Sequence, residues 1–389
     1  MTVSPHPSPL TPFRAALLYL AVALVFTWPL ALGLTRDIPW DLGDSLLNAW
    51  ILAWDADRIL RFLGGDFDAI RNFWNANIFY PEPLTLAYSE HLFAQAVQIL
   101  PVYALTGNII LSYNLLFLST FVLSGLGMFL FVREITGSAR AGFVAGLIYA
   151  FAPYRVPQFS HLQVVSSQWM PFVLYGVRRY FLTRSIRPLV GAGAALIAQN
   201  LSNGYFLLFF APFVLAYALF EIGTRRLWTE ARVWIALSIT ALVVTVVTLP
   251  FLYPYLELRR LGFGPRSLNE VKSFSADVFS YWTSPGESRI WGALIRAFPK
   301  AEGDLFPTLA ALVLGAVGFA GSVSAAWAHA RAQPAAASRG VMAIVWVLVA
   351  AAAVYTLFVL LILTSHGFTR LGPFPISVRN LWRNARVLA

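Results

Sequence analysis

The sequence predicts an all-α fold, a polytopic transmembrane helix bundle of about nine spans with amphipathic helices in a long first external loop. Three observations predict it. The 389 residues are 58% hydrophobic and 12% charged, with a mean hydropathy of +0.67, and a soluble chain of this length needs far more charge to cover its surface. Apolar runs recur at about 13–34, 108–132, 140–154, 164–182, 188–201, 204–221, 233–254, 306–329 and 341–364, most of them near the roughly 20 residues that a bilayer requires. Arginines gather in alternate connections: Arg14; Arg133 and Arg140; Arg178, Arg179, Arg184 and Arg187; Arg225, Arg226 and Arg232; Arg331 and Arg339, against Arg155 alone in the opposite short connections. The positive-inside rule makes the first set cytoplasmic.

Taken in order, the first run is too long for the apolar core of a signal peptide and reads as an uncleaved helix with its N-terminus in the cytoplasm. The runs at 140–154 and 188–201 are short for the hydrocarbon core and predict broken or tilted helices. Within one transmembrane domain over 1–389, this orientation places loops 35–107 and 255–305 outside, with the tail after residue 364. The net charge of +10 is then mainly a topology signal, and no nucleic-acid partner is expected. With no cysteine in the chain, a disulfide, a thiolate nucleophile and a cysteine metal site are all excluded. No internal repeat suggests the paired halves of many transporters.

Half of the 18 acidic residues lie between 35 and 91: Asp37, Asp41, Asp44, Asp55, Asp57, Asp66, Asp68, Glu82 and Glu90. The stretch "WDLGDSLLNAW" at 40–50 starts this acidic segment. On a helix beginning near Trp40, Asp41, Asp44, Ser45, Asn48 and Asp55 share one face, and Leu42, Leu46, Leu47, Trp50 and Trp54 the other. Such a helix is expected to lie along the membrane with its polar face toward the extracytoplasmic space. Asp55, Asp57, Asp66 and Asp68 read as a solvated surface. Asp41 and Asp44, close behind the first span, are candidates for a general base acting on a hydroxyl, or for oxygen ligands of a divalent cation, Mg or Mn.

Further candidates follow from polar groups at membrane depth, which are expensive unless used or paired. "YSEHLFAQ" puts Glu90 and His91 where the first loop re-enters the membrane, and "FAPYRVPQFSHLQ" puts Arg155, His161 and Gln163 in a short external connection. These are expected to contact substrate hydroxyls or phosphate, as is Asn48. "ELRRLGFGPRS" supplies Arg259 and Arg260, whose guanidinium forks suit phosphate oxygens; the bland alternative is snorkelling at a span end.

A long external loop with acids directly after the first helix, then an amphipathic segment, then many spans joined by cytoplasmic arginine turns, resembles the GT-C superfamily of membrane glycosyltransferases. The stretches "GDSLLNAWILAWDADRIL" and "NFWNANIFYPEPLTLAYSEHL" are similar to bacterial multispan proteins of that type. The resemblance covers roughly residues 13–182. It implies sugar transfer from a polyprenyl-phosphate donor, with membrane lipid as partner, at the outer face of the inner membrane. It implies an aspartate of the first loop as base or metal ligand, Asp44 in "GDS" matching best and Asp41 second. The usual Asp-x-Asp pair is not in its place, since Asp55-Ala-Asp57 lies further along, and the metal site is therefore left open. GT-C proteins generally have more than nine spans, which implies a shorter branch or a chain continuing beyond residue 389.

Two other classes fit the composition. A transporter or flippase of lipid-linked intermediates predicts ionisable groups inside several spans. A non-catalytic membrane assembly subunit predicts tolerance to loss of both aspartates.

Overall fold

A computed structural model describes residues 10–332 apart from 265 and 298; the run at 341–364, Arg339 and the tail "RNLWRNARVLA" lie outside the described residues. The described residues form helices joined by turns and loops, with a single isolated β-bridge, Thr283 to Arg296, in the second loop. Two compact units are present, one of residues up to 276 together with 280–306, the other of 277–279 and residues from 307 onward.

In the first unit, α1 (Pro12–Phe26) is followed by the first-loop helices α2 (Asp44–Leu63), α3 (Phe67–Arg71) and α4 (Phe93–Thr106). Then come α5 (Ile109–Thr136), α6 (Ala139–Ala150), the one-turn α7 (Leu162–Val165), α8 (Trp169–Thr183), α9 (Ile186–Asn200), α10 (Gly204–Thr224), α11 (Ala231–Arg260) and α12 (Leu268–Phe274). The second unit contains α13 (Leu309–Ala332). Three helices, α5, α10 and α11, are long and apolar enough to cross a membrane, and the protein is a helical membrane bundle.

The expected spans at 13–34, 140–154, 164–182 and 188–201 also become helices, but shorter ones of 12 to 15 residues, and the run at 306–329 becomes α13. At 12 residues, α6 is about 18 Å long against a hydrocarbon core of roughly 30 Å. Apolar composition therefore located the helices, and among the described residues three of them alone are long and apolar enough for a span. Helix α11 continues to Arg260, past the start of the loop expected at 255.

Local sequence explains the boundaries. Gly107 and Gly137 adopt left-handed backbone at the ends of α4 and α5 (φ 62° and 69°), where a Cβ would be strained. Each is followed at once by a capping side chain: Asn108 Oδ1 accepts from Leu111 N at 2.8 Å, and Ser138 Oγ from Ala141 N at 3.2 Å, satisfying helix-start donors. The chain thus folds back into the α5–α6 hairpin. Gly142 and Gly146 of α6 form a Gly-x-x-x-Gly face. A Cβ on either would lie 2.6 Å from a backbone oxygen of α5, Phe129 O or Gly125 O, so small residues are what allow this approach.

The arginine-rich end of the bundle is ion-paired. Buried Glu221 of α10 accepts from Arg178 of α8 at 2.7 Å and from Arg225 at 2.8 Å, with the Tyr217 hydroxyl donating at 3.0 Å. Arg179 reaches Glu134 of α5 at 3.1 Å and Arg184 reaches Glu230 at 3.0 Å. Arginines that mark topology in the sequence also bind helix to helix here.

Asparagines of α5 anchor the first loop at the opposite end. Asn114 Nδ2 donates to Leu34 O and Asp37 O at 2.9 and 2.7 Å, and Asn108 Nδ2 to Thr35 O at 3.1 Å. The segment entering α2 is thereby held against the bundle.

Candidate functional site at Asp44 and His161

Helix α2 starts at Asp44 rather than near Trp40, so Asp41 falls in the preceding turn. There its Oδ1 accepts from Gly43 N at 2.8 Å, and the exposed carboxylate is turned back on its own loop. The polar face of α2 points inward, the reverse of the sequence expectation. Ser45, Asn48 and Asp55 are buried, while Leu42, Leu46 and Leu47 are exposed. The reason is that α2 packs against α4 and α5, and these helices meet its mixed face and leave the leucines outward.

Asp44 and Asn48, one turn apart, act on one distant segment. Buried Asn48 Nδ2 donates to Ser160 O at 2.9 Å and to Gln163 Oε1 at 3.2 Å. These two contacts flank His161, whose Nε2 consequently falls 2.8 Å from Asp44 Oδ2. On its other side His161 Nδ1 meets Gln158 Oε1 at 2.6 Å. The Asp44 side chain is 51% exposed and that of His161 22%, so the pair is fixed from behind and open in front. With an acceptor oxygen placed at each ring nitrogen, the imidazole donates to both in its doubly protonated form; a turned Gln158 amide would instead donate to Nδ1 and leave Nε2–H for Asp44. Either arrangement directs a proton from His161 at Asp44 Oδ2.

Of the expected site residues, Asp44, Asn48, His161 and Gln163 therefore converge, with Asn48 and Gln163 positioning rather than open to a substrate. Gln158 was missed, because an amide three residues before a histidine carries no signal until the 153–161 turns bring it back to the ring.

Arg155 is wholly buried. It donates to Ser167 Oγ (3.1 Å), Thr120 Oγ1 (3.1 Å) and Val165 O (2.8 Å), and lies 4.7 Å from the Phe121 ring centroid. No carboxylate is among its partners, and its guanidinium is engaged inward rather than presented to a phosphate.

Glu90 and His91 form a second, closed group. Glu90 Oε2 accepts from Gly204 N, at the start of α10, at 3.1 Å. His91 Nδ1 accepts from Phe93 N at 3.1 Å, and its ring packs on Trp74, Phe251 and Tyr255. Burial holds the His91 imidazole down at about 4 and pushes the Glu90 carboxyl up. Asp55, expected on a solvated face, is fully buried with neither oxygen hydrogen-bonded, and desolvation raises its carboxyl well above the usual range. Arg259 and Arg260 are exposed at the end of α11, where Arg260 pairs with Glu257 at 3.0 Å; neither contacts Asp44 or His161.

Comparison with known protein families, curated proteins and solved structures finds no match. What the site can do is argued from its own chemistry.

Proposed function

We propose that the protein is a membrane glycosyltransferase of GT-C type, transferring a sugar from a polyprenyl-linked donor to a lipid, glycan or protein acceptor. In this reading the bundle has about nine spans in the inner membrane, a cytoplasmic N-terminus and its Asp44 end outside. The observation that carries it is the Asp44–His161 pair, 2.8 Å apart, braced by Asn48 and Gln158 and open in front.

Asp44 takes the acceptor hydroxyl proton as that oxygen bonds to the anomeric carbon. The bond from this carbon to the phosphate oxygen breaks, and the polyprenyl phosphate leaves. A single displacement inverts the anomeric carbon. His161 keeps one carboxylate oxygen engaged, so that the other faces the acceptor. Arg259, exposed at the end of α11, is the guanidinium assigned to the donor phosphate. Among the described residues no three His, Asp or Glu side chains converge as metal ligands. One Asp44 oxygen lies on His161 and Asp41 is turned onto Gly43 N–H, and the steps above are carried by the chain's own residues.

Transport of a lipid-linked intermediate is the second reading. Arg155 and Asp55, buried with no opposite charge among their hydrogen-bond partners, are the kind of group that marks ion or proton pathways.

One assay separates the two. In reconstituted membranes with a labelled polyprenyl-phosphate sugar, Asp44→Asn should lower transfer by about 10²- to 10³-fold, as expected for losing a general base. Asp41→Asn should stay within about twofold. Parental transfer by the Asp44 variant sinks the catalytic claim. Lipid movement across the bilayer with no transfer by the parent establishes the transport reading instead.

A further inference from the structure

A cleft of about 1060 Å³ opens between the first and second loops of the first unit, walled by residues 25–30 at the end of α1 and just past it, 37–40 and 285–291, with Phe117, Phe151 and Phe159 at its back. It exceeds the roughly 300–1,000 Å³ of ordinary small-molecule pockets, so it suits a ligand larger than a single sugar ring. Nothing in the Asp44 chemistry above uses it. Three tryptophans, Trp28, Trp40 and Trp291, face the cleft, and Trp28 and Trp40 are 63% and 48% exposed.

Trp40 is held in left-handed backbone, φ 72°, a conformation that is unfavourable for a non-glycine residue and persists only where surroundings impose it. Its ring meets Phe159 edge-on at 5.9 Å. The wall it belongs to is anchored twice: Asn114 donates to Asp37 O, and Ser45 Oγ donates to Pro39 O at 2.9 Å. That second bond comes from the residue after Asp44, so the cleft wall and the base are parts of one rigid connection.

The rim carries Asp37, Glu287 and Arg289, and Arg36 sits 3.6 Å from Asp37. Two acids against two arginines favour a neutral ligand over a phosphate. Aromatic faces suit the C–H faces of pyranose rings, while rim carboxylates accept from hydroxyls. Val25, Phe26 and Leu30, at and just past the end of apolar α1, line the cleft as well, an apolar stretch that suits an alkyl chain.

We infer that this cleft binds the acceptor, an uncharged glycan carried on a lipid, with its sugar on Trp28, Trp40 and Trp291 and its chain along the end of α1. The inference rests on the glycosyltransferase reading for the word acceptor, but glycolipid capture is measured without transfer. The full chain is placed in phosphatidylethanolamine and phosphatidylglycerol nanodiscs, and the probe is dodecyl maltotrioside with a photoreactive diazirine on its sugar. Crosslinks should map to 25–40 or 285–291. Trp28→Ala and Trp40→Ala should each cut capture by about tenfold or more, Trp28 being exposed enough to leave folding intact. Unlabelled dodecyl maltotrioside should compete, and dodecanol or dodecyl phosphate should not. Crosslinks elsewhere, capture indifferent to both tryptophan variants, or equal competition by dodecanol would overturn the cleft assignment. If capture behaves as expected but the parent transfers no sugar, the cleft stands and the transferase reading fails; transfer without capture removes the cleft alone.

Discussion

Two carboxylate–histidine groups, one pairing the first loop with a later connection and one within the first loop, place the same residue types in opposite surroundings. Around Asp44, a carboxylate and an imidazole lie 2.8 Å apart, half open to solvent. Around Glu90 and His91, in a setting of Trp74, Phe251 and Tyr255, burial keeps the imidazole neutral down to about 4 and raises the carboxyl. Both histidines even precede a leucine, in "SHLQ" and "EHLF". What separates them is what packs over the ring: amides and a carboxylate in one case, aromatic faces in the other. The first group presents a carboxylate to solvent, and packing suits the second.

The largest expected difference is in catalysis. His161→Ala should lower sugar transfer by about 10- to 100-fold, since Asp44 loses its orienting partner. His91→Phe should stay within about threefold in the same reconstituted assay. Equal losses in the two variants would erase the distinction between the regions.

Acid stability sharpens it next. His91 falls from an ordinary 6.5 to about 4, so in that window the unfolded chain binds a proton that the folded chain does not. Stability is intact above about 6.5 and declines as pH drops toward 4, by on the order of 3 kcal/mol from this group. Thermal unfolding at pH 7.5 and pH 5 should show a smaller acid loss in His91→Phe than in the parent.

Asn48→Ala comes third. Two hydrogen bonds to the 160–163 segment disappear, one buried and one half-buried, costing about 1–3 kcal/mol, and transfer should fall about tenfold as His161 loses its register on Asp44. A variant that loses stability but keeps its full turnover would separate Asn48 from the site.

Asp55 gives the smallest effect, with a sign opposite to that of His91. Its carboxyl is raised, so above the ordinary aspartate value of 3.8 the folded chain holds a proton that the unfolded chain gives up. Stability therefore falls as pH rises toward the raised value. Asp55→Asn removes that slope and should melt a few degrees above the parent at pH 8, with transfer unchanged.

Much of the helical layout was legible because apolar runs and their punctuation are local. The runs from 13–34 to 306–329 each correspond to a helix. Two further features were out of reach. Arg225 and Glu221 are four apart, but that Arg178 of α8 closes on the same carboxylate depends on how α8 meets α10. Arg155 looked like a substrate contact because its charge was isolated in sequence; its hydroxyl and carbonyl partners lie up to 35 residues away.

By itself the sequence determined a helical membrane protein, an acidic first loop, and the sharing of one α2 face by Asp44, Asn48 and Asp55. Helical periodicity fixes which side chains point together, because it depends only on the rise and turn of the backbone. Tertiary structure alone decided what that face meets. Packing against α4 and α5 turned it inward, stranded Asp55 without a partner, and closed Asp44 on a histidine 117 residues away. Burial and pairing are properties of contacts between distant segments, and these set whether an acid carries its charge.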